Sequence, residues 1–209
     1  MITVAQVAAA RDALMAGGLA IVPTDTVYGL AAALDSPQGV AALYTLKGRP
    51  RSQPCQVLVY TEGLLAEALG PLDDRTAMVV RALLPGQVTC IVPDPAHRYS
   101  AAAGDDAGAV GIRAPVMFGA ILDLDVPLVA TSANDPGGAD PAVVSEVPQA
   151  LRAGSMFHLD AGSLPGEASA VIDLRELGAG GPAHLIRHAP SVDAITRHLR
   201  AIDVDVAGM

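Results

Sequence analysis

The sequence predicts a single α/β domain, and three observations carry that expectation. Segments with apolar residues at helical spacing alternate with short strand-like apolar runs along the whole chain. Helix starts are marked by Ser, Thr or Asp, and stops by glycine or proline. Finally, 209 residues at 51% apolar composition are enough to bury one sizeable core without staples.

The elements follow in order. Thr3 caps a helix that runs to Ala16, with Gly17-Gly18 as its stop. A strand over Leu19 to Val22 leads straight into the polar cluster Pro23-Thr24-Asp25-Thr26. Ser36-Pro37 is a cap with proline at the first helical position, opening a helix through Leu46 that delivers Lys47-Gly48-Arg49-Pro50-Arg51 into a loop. Gln56 to Tyr60 is strand-like, Thr61 caps a short helix, and Asp73 or Asp74 begins another that ends at Pro85-Gly86. Strands are expected at Gln87 to Val92, Val110 to Ala114 and Pro127 to Ala130, with a short helix near Phe118 to Leu122 between the last two. Asn134 to Pro141 is turn chemistry, and a helix over Ala142 to Arg152 follows it. Met156 to Leu159, Ala170 to Leu174 and His184 to Arg187 read as further strands, before an amphipathic helix from Ser191 to Ile202. No repeat, low-complexity segment or composition shift divides the chain. The reading is one domain over residues 1–203 with a loose tail over 204–209.

Composition narrows the function. The chain carries 22 Asp plus Glu against 13 Lys plus Arg, a formal charge of −9. Its apolar content excludes a disordered chain, and 21 Gly with 16 Pro are too scattered for a collagen or a linker. So negative a surface disfavours DNA or RNA as a primary ligand, because phosphate backbones need a wide basic footprint. Small anions at one site remain open. Lys47 is the sole lysine and lies with Arg49 and Arg51 in the densest basic cluster. Cys55 and Cys90 sit in or beside apolar runs, which predicts reduced core thiols. The first charges, Arg11 and Asp12, fall inside the first apolar segment, and no run reaches the roughly 18 residues a membrane span requires. The expected address is the cytoplasm, with no membrane partner.

Several familiar signatures fail on context. Gly178 to Ala183 fits G-x-G-x-x-A but precedes an extended segment instead of opening a helix, so it reads as a turn. There is no phosphate-binding P-loop motif and no nucleophile elbow. His184 and His188 lie on a strand beside Arg187, which would repel a metal ion, so no metal site is expected.

What remains is an ordered set of polar runs, mostly at the carboxyl ends of expected strands or in adjoining loops. They are Pro23-Thr24-Asp25-Thr26-Val27-Tyr28-Gly29-Leu30, Lys47-Gly48-Arg49-Pro50, Pro85-Gly86-Gln87-Val88-Thr89, Gly111-Ile112-Arg113-Ala114-Pro115, Thr131-Ser132-Ala133-Asn134 and Leu185-Ile186-Arg187. Open α/β sheets bind ligands outside strand carboxyl ends. Lysine and arginine there supply phosphate and carboxylate contacts, while Thr, Ser and Asn supply oriented hydrogen bonds. Taken singly, each run has a plainer reading: Thr24 or Ser132 capping a turn, Arg113 in an ion pair, Lys47 at a helix end favoured by the dipole.

Together, from about Met15 to Arg187, these runs resemble the YrdC-type threonylcarbamoyl-AMP synthases in their short, single-domain bacterial form. That resemblance implies a twisted open sheet with flanking helices and a concave basic groove. It implies an enzyme, a nucleotidyltransferase that joins L-threonine, bicarbonate and ATP into threonylcarbamoyl-AMP and releases pyrophosphate. Magnesium would screen the phosphates, as in phosphoryl transfer generally. The product would pass to a transferase that modifies adenosine 37 of tRNA, with the chain's own tRNA contact weak or indirect. By the same resemblance, Lys47 and Arg49 form the catalytic triphosphate clamp, and Thr89, Ser132, Asn134 and Arg187 complete the nucleotide site. Thr24, Arg113 and Ala130 face L-threonine, with Arg113 on its carboxylate. A clamp of this kind is expected to be exposed before ligand arrives.

Two positions depart from the family's pattern. Ala170 stands where a substrate-holding threonine is common, and Asp140 stands where a nucleotide-contacting serine is common. Ala170 motivates an alternative, a paralogue that adenylylates another carbamoyl donor such as carbamoyl phosphate. A second alternative, a non-catalytic RNA-binding module, is opposed by the charge and by only six aromatic residues.

Overall fold

A computed structural model describes residues 1–207 of the chain. Its helices are α1 (Val4–Met15), α2 (Pro37–Lys47), α3 (Glu62–Leu69), α4 (Asp74–Leu83), α5 (Gln149–Gly154) and α6 (Val192–Ala201). The strands are β1 (Leu19–Pro23), β2 (Tyr28–Ala33), β3 (Gln56–Leu58), β4 (Val88–Pro93), β5 (Ala109–Arg113), β6 (Leu128–Ser132), β7 (Phe157–His158), β8 (Ala170–Asp173), β9 (Ala183–Arg187) and β10 (Val206–Ala207). They form one sheet in the order β10-β9-β8-β4-β5-β3-β6-β2-β1-β7.

The helix starts are set by the side chains that the sequence nominates. Thr3 and Gln6 close a reciprocal capping box on α1, and Ser36 accepts the Gly39 N–H at 3.1 Å with Pro37 at the first helical position. Thr61 caps α3 and Asp73 caps α4. Each such cap contributes about 1 kcal/mol. Gly48 ends α2 in the left-handed region at φ 61°, which turns the chain sharply after Lys47.

Side-chain alternation along the strands separates two faces. Val57, Cys90, Ile112, Val129 and Ile172 point into the larger core with α2, α3, α4, α5 and α6. Ala20, Val22, Ala31, Leu58 and Ala130 point the other way, where α1 and the 3₁₀ turn Gly119–Asp123 cover them. That second cover is partial. Over β4, β5, β3 and β8 the same face is bare and floors a cavity.

Four expectations need correction. The sequence reading has no strand at Tyr28–Ala33, yet β2 pairs with both β1 and β6 near the middle of that half of the sheet. The helix expected over Ala142 to Arg152 is a 3₁₀ turn at Val144–Glu146 followed by α5 from Gln149, because Pro148 cannot sit inside a helix and instead becomes the cap residue. The tail expected to be loose holds Val204, 2% exposed in the core, and β10, which pairs parallel with β9. Residues 208 and 209 of that tail lie outside the described residues. Finally, the sheet is mixed, so strand carboxyl ends lie at both of its edges, and the cavity lies across the face instead of beyond one end.

Candidate functional site

The cavity has a volume of about 440 Å³, within the range of small-molecule sites. Every polar run singled out in the sequence sends at least one residue to its lining: Thr24 and Thr26, Arg49, Thr89, Gly111 and Arg113, Ser132, and Arg187. Ala130 lies in the floor. Lys47 and Asn134 stand just behind the lining. Both signs of charge face the space, with Arg49, Arg113, Arg175 and Arg187 accompanied by Asp106 and Asp140.

Lys47 is buried, contrary to the expected exposed clamp. Its ammonium donates to the Ser132 carbonyl at 2.8 Å, to Asn134 Oδ1 at 2.6 Å and to the Asn134 carbonyl. Three donors meet three acceptors, so the side chain fastens the end of α2 to the loop that follows β6. Burial, reinforced by Arg49, presses the Lys47 pKa down to about 8, while Asp135 and Asp140 partly offset it. Asn134 extends the network, its Nδ2 donating to the Gly138 carbonyl at 2.9 Å and to Asp140 at 3.1 Å. Ser132 Oγ donates to Asn134 Oδ1 at 2.8 Å. Asp140 therefore lines the cavity and closes its own loop at the same time.

Arg113 is 1% exposed and ion-paired with Asp25, whose side chain is 8% exposed. A guanidinium taken out of water requires a counter-charge. The chain supplies one, so Arg113 enters the cavity wall already balanced by Asp25. Further donors go to the Val88 carbonyl at 3.3 Å and Thr26 Oγ1 at 3.5 Å, leaving part of a five-donor group for the cavity it lines. The second oxygen of Asp25 accepts from the Val116 N–H at 2.9 Å, and its carbonyl accepts from Gln87 Nε2 at 2.9 Å. Asp25 thus ties the β1–β2 turn to the ends of β4 and β5.

Thr24, expected to touch L-threonine, spends its hydroxyl inside that turn. Oγ1 donates to the Val27 carbonyl at 2.8 Å and accepts the N–H groups of Thr26 and Val27, each at 3.1 Å. The turn that carries Asp25 is therefore built by its own first threonine.

Arg187 donates through Nε to the Ser169 carbonyl at 2.9 Å and through Nη2 to Ser169 Oγ at 3.2 Å. Ser169 Oγ lies 3.3 Å from Thr89 Oγ1, which donates to Gln56 Oε1 at 2.8 Å. Arg49 reaches the cavity from the loop after α2, donating to the Pro54 carbonyl at 2.5 Å.

Ala170 does not face this space. It is fully buried in the larger core, while Ala168, Ser169 and Val171 line the cavity. Its missing hydroxyl is absent from the core and not from the site. Sequence reasoning missed Gln56 and Arg175. Gln56 is the lone polar residue in an apolar strand run, a signal that was available. Arg175 is held at 2.6 Å by Asp173, two residues away, and at 2.9 Å by Asp106, 69 residues away in the sequence.

Comparison with known proteins agrees with the motifs. The family model Sua5/YciO/YrdC, described as telomere recombination, matches residues 12–189. The chain belongs to this family. Among relatives, it is 31% identical over 207 residues to a protein of Mycobacterium tuberculosis strain H37Rv, covering 97% of this chain and 92% of that one. That relative is provisionally named a threonylcarbamoyl-AMP synthase. The chain is also 26% identical over 195 residues to the threonylcarbamoyl-AMP synthase of Bacillus subtilis, covering 92% of this chain and 53% of that protein. In fold it is similar to P. abyssi Sua5 complexed with L-threonine, at a TM-score of 0.83 and 23% identity over 99% of this chain and 60% of that one. E. coli YciO is similar at a TM-score of 0.76 and 18% identity, covering 90% and 91%. The two solved structures establish the α/β architecture of this family member, a sheet with flanking helices.

Proposed function

We propose that the chain is a threonylcarbamoyl-AMP synthase, a nucleotidyltransferase that uses ATP and L-threonine with bicarbonate. One observation carries the reading: every motif run converges on a single cavity, with Arg113 buried in its wall and Arg49 and Arg187 reaching it from other elements. A site for two anions needs cationic groups in more than one direction. The names carried by relatives that cover most of the chain support the same reading.

In the reaction, the threonine amine adds to bicarbonate-derived carbon to give a carbamate and release water. A carbamate oxygen then attacks the α-phosphorus of ATP, and the bond to pyrophosphate breaks. The carbamate is a weak nucleophile, so the protein's task is to hold two anions together and to stabilise the charge passing to pyrophosphate. Arg49 and Arg187 are assigned to the phosphates, while Thr89 and Ser132 line the nucleotide side with their hydroxyl protons given to Gln56 and Asn134. Arg113, already balanced by Asp25, offers its remaining donors to the amino acid above the Ala130 floor. Thr24, Lys47 and Asn134 are assigned to position the loops that border the cavity. Among the described residues no three His, Cys, Asp or Glu side chains cluster as a metal cage. Magnesium is assigned to the ATP phosphates as part of the substrate, as is usual for this ion. A downstream transferase would carry the group to tRNA, and the cytoplasm is the assigned compartment. Among the described residues no helix is long and apolar enough to cross a membrane.

The test is pyrophosphate release by purified protein with ATP, magnesium, L-threonine and bicarbonate, each omitted in turn. Release should require all of them, with threonylcarbamoyl-AMP as the other product. Release indifferent to threonine and bicarbonate would overturn the reading. The carbamoyl phosphate alternative loses its motivation, because Ala170 lies in the core.

A further inference from the structure

Gln56 lies in the cavity floor, where β3 lies between β5 and β6 and pairs it with Gly111 on one side and Ala130 on the other. These neighbours are nearly without side chains, so the amide is the polar group of that row. A Cβ at Gly111 would lie 3.0 Å from Thr89 Cγ2 and 3.8 Å from Gln56 Cβ, filling the notch beside the amide.

Which end of the amide faces the cavity follows from the hydrogen-bond chain behind it. A guanidinium can only donate. Arg187 Nη2 therefore donates to Ser169 Oγ at 3.2 Å. Thr89 donates its single hydroxyl proton to Gln56 Oε1 at 2.8 Å, so the 3.3 Å contact between Ser169 and Thr89 is donated by Ser169. Both hydroxyl protons in this chain, those of Ser169 and Thr89, then have an acceptor. With the amide reversed, Gln56 would donate to Thr89 and Thr89 to Ser169, leaving the Ser169 proton with no acceptor among the described residues. The chain is thus polarised in one direction, from Arg187 to Gln56, and it ends with two N–H donors at Nε2 that have no acceptor among the described residues.

We propose that Gln56 is a specificity-determining residue whose carboxamide, oriented by Arg187, Ser169 and Thr89, donates to an oxyanion of a bound substrate. The inference rests on the synthase reading, in which that oxyanion is either the carboxylate or carbamate of the amino acid or a phosphate of ATP. Thr89 and Ser169 act on it as positioning residues.

Isothermal titration of the intact protein with L-threonine and, separately, with magnesium ATP tests this. Gln56→Glu keeps the shape and still accepts from Thr89, but presents an acceptor where two donors stood. It should weaken one of the two ligands by tenfold or more, on the scale of a hydrogen bond to a charged group, and the affected ligand identifies the oxyanion. Gln56→Leu should weaken the same ligand, and melting curves establish that both variants fold. Thr89→Val frees the amide to turn and should weaken that ligand about threefold, with Thr89→Ser restoring it. Both Gln56 variants binding both ligands within twofold of wild type would overturn the inference while leaving the synthase reading intact. A wild-type protein that binds neither ligand would overturn both. Loss of a different ligand in Thr89→Val than in Gln56→Glu would overturn the positioning chain.

Discussion

Lys47 shows how one side chain can be conspicuous in sequence and differently employed in structure. Its ammonium is committed to Ser132 and Asn134, so its influence on the cavity runs through the loop after β6. Its pKa, lowered to about 8 by burial, makes that influence titratable. Above pH 8 the folded chain loses the proton, whereas an unfolded lysine keeps it to about 10.4. Between those values the unfolded chain binds more protons, so this group favours folding as pH rises, even while its three-donor contact becomes a two-donor one. Turnover should therefore fall with a basic limb near pH 8, with no matching drop in thermal stability from this group. Lys47→Arg, charged throughout, should lack the limb even if it is slower. An unchanged limb in that variant would remove Lys47 as its source. Asp25 is the complementary case: an acidic letter inside a polar run turns out to balance the buried Arg113.

At the scale of elements, strand parity decides the meaning of a residue. Ser169 and Val171 face the cavity, and Ala170 between them faces the core. Ala170→Thr would add volume and a hydroxyl to a packed interior, at a cost of about 1–3 kcal/mol. Urea denaturation should show that loss, and the Michaelis constant for threonine should stay within twofold of wild type. A lower constant would return the position to the site. The same parity explains what the sequence made legible. Caps at Thr3, Ser36, Thr61 and Asp73 are local chemistry, and all four start helices as read. β2 was missed because Tyr28–Ala33 is buried on both faces, so it shows no alternation, and its glycine and alanines carry little strand preference. The polar runs were visible as letters. Thr24 uses neighbours two and three residues away, so its turn was legible as a plainer reading, but the partners that make Lys47 a loop anchor and Arg113 an internal ion pair lie 85 and 88 residues away, which no local pattern encodes.

For the whole molecule, the charge of −9 and the placement of the few cations bear on the tRNA question together. Arg11, Arg81, Arg98, Arg113 and Arg175 are all paired with carboxylates, and Lys47 is buried in its loop contact. Arg49 and Arg187 are turned to the cavity. Arg51, Arg75, Arg152, Arg197 and Arg200 are left, fewer than the roughly 6–10 phosphate contacts whose released counterions drive strong non-specific nucleic-acid binding. Free tRNA should accordingly bind with a dissociation constant weaker than about 10⁻⁴ M at physiological salt, the weak end of the non-specific range. Fluorescence anisotropy with labelled tRNA over 50 to 200 mM salt would measure it. A tight complex with a steep salt slope would mean that a basic track exists on the acidic surface, and the enzyme would then meet tRNA directly. Weak binding with a shallow slope fits a protein that keeps its cations for a small anionic substrate and releases its product to a separate transferase.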